Sequence, residues 1–105
     1  MTQFNTPGFI EGRVDNNESI EIRRKRLKFR SWHRGIKEAD ILLGSFADKF
    51  LLDMTEEQLD KYENILREAD SDIVAWITND RPAPNKYKND VMEMLKSIDY
   101  IKILK

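Results

Sequence analysis

Apolar residues recur at helical spacing along most of this chain, and the clearest run lies in its middle. The run follows spacings of three and four residues, which place its members on one face of a helix: Ile36, Ala39, Leu42, Leu43, Phe46 and Phe50. This pattern predicts the central core helix over residues 37–52. Gly44 lies inside it, where the absence of a Cβ permits a neighbouring element to pack closely.

One further helix is predicted on each side of this one. Residues 18–32 contain no Gly or Pro and many good helix formers, which predicts a first helix, although its apolar residues do not share one face. Thr55 and Gln58 form a capping-box pattern that predicts the start of a third helix, and Met54 is placed to pack on Leu59. We expect the third helix to end near Asp70.

The last third of the chain predicts two more helices. The Asp-Ser-Asp segment 70–72 is expected to cap a short fourth helix that carries Trp76, a core residue, and closes before Pro82. A fifth helix is expected to begin near Asn85, because apolar residues follow there at spacings of four and three. These residues are Tyr87, Val91, Met94, Ile98 and Ile101.

The sequence therefore predicts an all-α fold, a compact single-domain bundle of five helices over residues 18–98. Residues 1–17 carry Gly, Pro and Asn without periodicity, so we expect a disordered or loose N-terminal lead-in. Residues 99–105 are expected to form a C-terminal tail or an extension of the fifth helix. A length of 105 residues fits one domain.

Composition excludes several classes of function. The chain has no cysteine and one histidine, so it offers no disulfide, no thiol nucleophile and no ordinary zinc site. No segment reaches the ~20 consecutive apolar residues of a membrane-spanning helix, and 35% of the residues are charged, so we expect a soluble protein without direct membrane insertion. The histidine, His33, has no evident acidic partner, and we predict no catalytic residues, no metal site and no enzyme activity.

The net charge of -1 hides a segregation of charge along the chain. Between residues 22 and 37 the charged residues are all cations: Arg23, Arg24, Lys25, Arg26, Lys28, Arg30, Arg34 and Lys37. From residue 53 to residue 72 most are acids: Asp53, Glu56, Glu57, Asp60, Glu63, Glu68, Asp70 and Asp72. Such a distribution either steers a charged partner or pairs two parts of the domain with each other. For the basic run we expect a solvated helix face, and a small nucleic-acid-binding protein is the alternative from another class.

Four residues at the junction of the first two helices form the candidate site: Arg34, Gly35, Glu38 and Asp40. A permanent cation, a residue without Cβ and carboxylates lie within about one or two helical turns, which suits recognition of a partner rather than catalysis. Arg34 offers a planar fork of donors to carboxylates or carbonyls of a partner. Spacing alone favours another interpretation, an internal pair between Arg34 and Glu38 at i and i+4.

Three features occur in this chain in the same order as in a known family. They are the Arg34-Gly35-x-x-Glu38 core, the apolar helix behind it with Phe46 and Phe50, and the segment 70–76, Asp-Ser-Asp-Ile-Val-Ala-Trp. In these features the chain resembles the FAD assembly factors of succinate dehydrogenase. The resemblance implies a small helical bundle that binds the flavoprotein subunit of succinate dehydrogenase, or of the related fumarate reductase, and promotes covalent attachment of FAD to it.

The resemblance also implies roles for individual residues. Arg34, Gly35 and Glu38 match the family motif, with Asp40 as the acidic residue after it, and this surface is implied to contact the client. The complex would be transient, catalysis would belong to the client and its flavin, and this chain would bind no cofactor itself. Part of the family has also been described as antitoxin-type interaction modules, which leaves a second kind of partner open.

A bacterial cytoplasmic location is the expectation for this chain. Residues 1–17 contain Glu11 and Asp15 and lack both the Arg-rich amphipathic pattern of a mitochondrial transit peptide and the apolar core of a secretory signal. Nucleic acid is not an expected partner, because the sequence pI is about 5.9 and no helix-turn-helix pattern is evident.

Overall fold

Five α-helices joined by short connections make up the computed structural model, which describes residues 18–98. The helices are α1 (Ile20–Trp32), α2 (Lys37–Phe50), α3 (Glu56–Leu66), α4 (Asp70–Ile77) and α5 (Asp90–Lys96). Two 3₁₀ turns, Leu51–Asp53 and Asn85–Tyr87, precede α3 and α5. The predicted all-α bundle of five helices is confirmed. The predictions for residues 1–17 and 99–105 lie outside the described residues.

Helix α2 supplies the centre of the core, as its apolar stripe predicts. Four residues of the stripe are fully buried: Ala39, Leu42, Leu43 and Phe46. They belong to an apolar cluster that includes residues of the other four helices. The predicted core position of Ile36 is wrong, because this residue is the extended N-cap of α2 and is 41% exposed. It precedes the helix, so helical spacing does not set its direction.

Helices α1 and α2 approach closely at Gly44. A Cβ added to Gly44 would lie 2.1 Å from the Trp32 ring atom Cδ2, so the indole occupies the space that a side chain would need. The Trp32 indole nitrogen donates a hydrogen bond of 3.2 Å to Asp48 Oδ1, which fixes the ring over α2. The prediction that Gly44 permits close packing is confirmed, and the neighbour is Trp32.

Helix α3 begins at the predicted capping box. The Gln58 amide donates to Thr55 Oγ1 at 3.1 Å and the Thr55 amide donates to Gln58 Oε1 at 3.0 Å. Met54 and Leu59 are both buried in the core, as the predicted contact between them requires. The helix ends at Leu66, earlier than predicted, and a turn separates it from α4.

Helix α4 differs from the prediction at its start. Its N-cap is Ala69 and no side chain caps it, so the predicted capping role of the 70–72 segment is wrong. Its end is set before Pro82, by Asn79 at φ 64° and by an amide of Asp80 that donates to the Ala75 carbonyl at 2.8 Å. This is a Schellman motif, which satisfies the last carbonyls of the helix. Trp76 is buried, as predicted.

Helix α5 begins later than the predicted start near Asn85. Asn89 caps it by accepting a hydrogen bond of 3.0 Å from the Met92 amide. The preceding 3₁₀ turn carries Tyr87, whose ring lies 5.4 Å from that of Trp76, centroid to centroid. Pro82 and Pro84 lie between α4 and this turn, and the apolar spacing from residue 87 onward joins two elements rather than one helix.

The basic helix α1 is joined to the acidic helix α3 through Glu63. Both Arg26 guanidinium Nη atoms donate to the Glu63 carboxylate, at 2.7 and 3.2 Å, and Arg23 donates to it at 3.0 Å. Arg26 also holds Glu18 in an ion pair of 2.8 Å, and Arg23 pairs with Asp60 at 2.6 Å. Of the two interpretations of the segregated charges, the pairing within the domain is therefore confirmed.

Desolvation and pairing act in opposite directions on these groups. Burial raises the pKa of Glu63, but the hydrogen bonds and charges of Arg26 and Arg23 outweigh it and hold that pKa below its ordinary value. Burial lowers the pKa of Arg26, and its bonds with Glu18 and Glu63 more than reverse that shift. Both groups are charged at neutral pH, as an ion pair requires.

Other arginines of α1 bind backbone carbonyls of neighbouring elements. Arg24 donates to the carbonyls of Leu51 and Met54, each at 2.9 Å, where α2 gives way to α3. Arg30 donates to the Leu66 carbonyl at the end of α3, at 3.3 Å. The predicted solvated face is therefore wrong for the arginines of the run. In residues 18–98 no helix is long and apolar enough to cross a membrane.

We expect Gly44→Ala to destabilise the domain. Alanine favours a helix over glycine by ~1 kcal/mol, but its Cβ would displace the Trp32 ring, and overpacking of this kind costs roughly 1–3 kcal/mol. The measurement is the free energy of unfolding in denaturant. In a Trp32→Ala background the same change should become neutral or stabilising, and an equal loss in both backgrounds would contradict this packing.

We expect Glu63→Gln to reduce stability by about 3 kcal/mol at pH 7, because it leaves two arginines without their shared anion. The folded pKa of Glu63 is depressed, so its contribution is complete above the ordinary value of 4.5 and is lost as pH falls through the folded pKa. The free energy of unfolding, measured with denaturant at several pH values, should therefore differ less between the variant and wild type in acid than at neutral pH. Glu56→Gln, at an exposed position of α3, is the control, and a gap that stays constant from neutral pH into acid would refute the assignment.

Candidate functional site

The candidate site lies in the connection between α1 and α2, and its backbone is held by Asp40. The Arg34 amide donates to Asp40 Oδ1 at 2.5 Å. Asp40 lies in the first turn of α2, where a carboxylate also suits the positive end of the helix dipole. This contact fixes the entry of the chain into α2.

The side chain of Arg34 points into the domain. Its Nε donates to Asp70 Oδ1 at 2.7 Å, and its Nη2 donates to the carbonyls of Leu66 and Glu68 at 2.7 and 3.3 Å. The side chain is 9% exposed. A cation is favourable here because Leu66 is the last residue of α3, where the helix dipole is negative. The alternative pair between Arg34 and Glu38 is wrong, since the partner of the guanidinium is Asp70.

Gly35 shares the same carboxylate. Its amide donates to Asp70 Oδ2 at 2.6 Å, so the two oxygens of Asp70 bind two consecutive residues. A Cβ on Gly35 would lie 3.1 Å from that oxygen, which is a tighter contact than most side chains make. Gly35 lies between α1 and α2, at the predicted junction of the first two helices, and the approach of Asp70 gives a physical reason for a glycine there.

Glu38 faces solvent in the first turn of α2. Within residues 18–98 its carboxylate has no ion pair. Together with exposed Ile36 it lines a shallow groove that is also lined by Val74 of α4 and by Thr78, the residue that ends this helix. The outer surface of the site is therefore Gly35, Ile36 and Glu38, whereas Arg34 and Asp40 act mainly beneath it.

Comparisons with known proteins identify the family of the folded domain. A family model described as the flavinator of succinate dehydrogenase matches residues 25–99, which include all five helices except the first turn of α1. This chain belongs to that family.

Curated relatives support the same assignment. Succinate dehydrogenase assembly factor 2, mitochondrial, of Candida glabrata is 46% identical over 85 residues, covering 78% of this chain and 54% of the relative. The protein of the same name from Debaryomyces hansenii is 41% identical, covering 83% and 64%, and that from Danio rerio is 43% identical, covering 75% and 51%. This chain therefore spans about half to two thirds of the length of these relatives.

The predicted bacterial cytoplasmic location is wrong, because these relatives are named as mitochondrial proteins of yeasts and a fish. The prediction depended on the acidic residues Glu11 and Asp15 in residues 1–17. Acidic residues there argue only against one kind of targeting signal, the mitochondrial transit peptide. They give no information on which proteins the folded domain is related to.

Asp70 is the site residue that sequence reasoning missed. Its expected place at the start of the fourth helix indicated a cap, but its carboxylate instead binds residues 36 and 35 positions earlier in the chain. Local spacing contains no signal for such a contact. The one available sign was its place in the acidic segment that, with the Arg34-Gly35 core, carried the family resemblance.

The chemistry of the site suits recognition. His33 is exposed and stacks on Phe29 with ring centroids 4.0 Å apart, and its Nδ1 lies 2.7 Å from the Phe29 carbonyl. In the described part of the chain no group of His, Asp and Glu residues could hold a metal ion. The roles of Arg34, Gly35, Glu38 and Asp40 in partner binding stay predictions.

Proposed function

We propose that this chain binds the flavoprotein subunit of succinate dehydrogenase, and the related subunit of fumarate reductase, and promotes covalent attachment of FAD to that client. Membership of the flavinator family supports the proposal. The observation that carries it to particular residues is the exposed segment from Gly35 to Glu38, where the chain enters α2. Asp40 binds the Arg34 amide just before this segment, and Asp70 binds the Gly35 amide. The mitochondrial setting named for the relatives is the one that we propose here.

The proposed docking surface combines three features. Gly35 offers exposed backbone, Ile36 offers an apolar side chain that is 41% exposed, and Glu38 offers a carboxylate without an ion pair in the described structure. A loop that is already ordered loses little conformational entropy when it binds, so more of the contact energy appears as affinity. The surface is small, which fits a complex that later dissociates.

The role of the chain in the reaction is to shift a population. It binds the client state in which FAD and the accepting side chain are correctly placed more tightly than other states, and so raises the fraction of client that can react. The bond formation itself belongs to the client and its flavin. The chain needs no cofactor for this, and it must release the product, which suits an interface of roughly 1,200–2,000 Å² in total.

Binding to nucleic acid is the weaker alternative. The arginines of α1 that the basic run contributed are directed to Glu63, Asp60 and backbone carbonyls. Cations that are already paired within the domain have less to offer to phosphates, because the internal partner would first have to be displaced.

We expect Glu38→Ala to lower the yield of covalent flavin in the client without changing the stability of this domain. The carboxylate is exposed and unpaired in the described structure, so its removal leaves the fold intact. The wild-type chain or the variant is mixed with FAD and FAD-free flavoprotein subunit, and the client's in-gel flavin fluorescence is followed. A fall of about tenfold in the initial rate is the expected result if one charged contact to the client is lost.

Glu56→Ala is the matched control, because Glu56 is also an exposed glutamate in the first turn of a helix. It should leave flavin attachment at the wild-type level. If the wild-type chain neither binds the client nor raises its flavin content, the proposed function is wrong. If Glu38→Ala and Glu56→Ala behave alike while the wild type is active, the function stands and the assigned surface is wrong.

A further inference from the structure

We propose that Asp70 is a positioning residue for the docking loop, residues 33–36 between α1 and α2, and that Arg34 acts through Asp70 rather than by direct contact with the client. This inference rests on the proposed function. It assigns a role to the acidic segment at the start of α4, which the motif alone does not explain. It also changes the meaning of the arginine, from a contact residue to a part of the support beneath the contact surface.

The carboxylate of Asp70 binds two consecutive residues of the loop. Asp70 Oδ1 accepts from Arg34 Nε at 2.7 Å, and Asp70 Oδ2 accepts from the Gly35 amide at 2.6 Å. Each oxygen therefore binds one donor, and the donors belong to consecutive residues. Because one donor is a side chain and the other is a backbone amide, the carboxylate fixes both the direction of Arg34 and the orientation of the peptide plane before Gly35.

Arg34 also connects the loop to the end of α3. Arg34 Nη2 donates to the carbonyls of Leu66 and Glu68, so the same guanidinium that meets Asp70 also holds the end of α3 and the turn after it. The loop before α2 is thereby joined to the end of α3 and the start of α4. A charged hydrogen bond at partly buried groups is stronger than a neutral one, so this arrangement is rigid.

The supporting side chains and the outer residues of the site differ in their exposure. The side chains of Arg34 and Asp70 are 9% and 19% exposed, whereas Gly35, Ile36 and Glu38 are all exposed. A client that covers the loop meets these three residues first. A client that used Nε or Nη2 of Arg34 would first have to displace Asp70 or the two carbonyls, whose groups would then lack their partners.

The neighbouring acid provides the contrast. Asp72 lies two residues later in the same first turn of α4, and its carboxylate pairs with Arg81 at 2.7 Å, with 40% and 52% of the two side chains exposed. It makes no contact with the loop in the described structure. Asp70→Asn and Asp72→Asn are therefore equal changes of type and charge on one helix that differ in whether they touch the docking loop.

The test measures three quantities for the whole chain carrying Asp70→Asn or Asp72→Asn. These are the affinity for FAD-free flavoprotein subunit of succinate dehydrogenase, the amide proton shift and exchange rate of Gly35 in the free chain, and the thermal midpoint. An asparagine has one acceptor oxygen, so its amino group faces either Gly35 or Arg34 as donor against donor. We expect Asp70→Asn to shift the Gly35 amide, to speed its exchange, and to weaken client binding by about tenfold. Asp72→Asn should leave the affinity for the client and the exchange rate of the Gly35 amide within twofold of wild type, and the Gly35 amide shift unchanged.

Two outcomes would overturn the inference while the function stands. One is wild-type affinity for the client in Asp70→Asn although the Gly35 amide has shifted. The other is weakened binding with an unchanged Gly35 amide, which would make Asp70 a direct contact of the client. A wild-type chain that does not bind the flavoprotein subunit would remove the proposed function and this inference together.

If Asp70→Asn does not fold at the temperature of the assay, Arg34→Lys provides the same test. Lysine keeps the positive charge but cannot donate as a planar fork to Asp70 and the α3 carbonyls at once. We expect a shifted Gly35 amide and weaker client binding by about tenfold. Affinity within twofold of wild type would mean that charge at position 34 is sufficient, and would overturn the positioning role.

Discussion

The structure depends on how it accommodates arginines that cannot lose their charge. The side chains of Arg26 and Arg34 are 8% and 9% exposed, and each lies where α1 or the loop after it meets α3. A guanidinium at such a position must find oxygen partners, because its desolvation is otherwise too costly. The partners come from other elements, mainly Glu63 of α3 and Asp70 of α4. Correct placement of α1 and of the loop is therefore tied to correct placement of α3 and α4.

This internal pairing also changes the electrostatic character of the surface. Along the sequence, a basic segment and an acidic segment stand apart, which suggests a strong dipole. In the fold they face each other, as in the pairs of Arg23 with Asp60 and Glu63. Opposite charges a few ångströms apart largely cancel at distances beyond a Debye length of about 8–10 Å. Under the proposed function, recognition then depends on short-range features. An apolar side chain, an exposed glycine and a carboxylate occur together where the chain enters α2.

The sequence was informative where the signal is local. The stripe of α2 and the capping box of Thr55 and Gln58 depend on residues a few positions apart, and both are present. It misled where an element boundary intervenes: Ile36 precedes α2, and the apolar spacing from Tyr87 onward runs through a 3₁₀ turn. The contact of Arg34 with Asp70 joins residues 36 positions apart, and no periodicity records it. The family could be recognised because motif order is sequence information, whereas the partner of the arginine is set by the packing of α3 and α4.

The geometry gives a physical reason for the spacing of the motif. Arginine and glycine are consecutive because one carboxylate binds both, through the Arg34 side chain and the Gly35 amide. Glu38 lies three residues after Gly35, in the first turn of α2, and both residues are exposed. Asp40 supplies the acceptor for the Arg34 amide, which gives a reason for an acidic residue at this position. A larger residue in place of Gly35 would therefore act twice, since its Cβ lies 3.1 Å from Asp70 on the inner side and its remaining atoms extend the surface that a partner must approach. Under the proposed function, loss of activity at Arg34 or Gly35 includes the effect of losing this support, because both residues bind Asp70 and hold the loop in place.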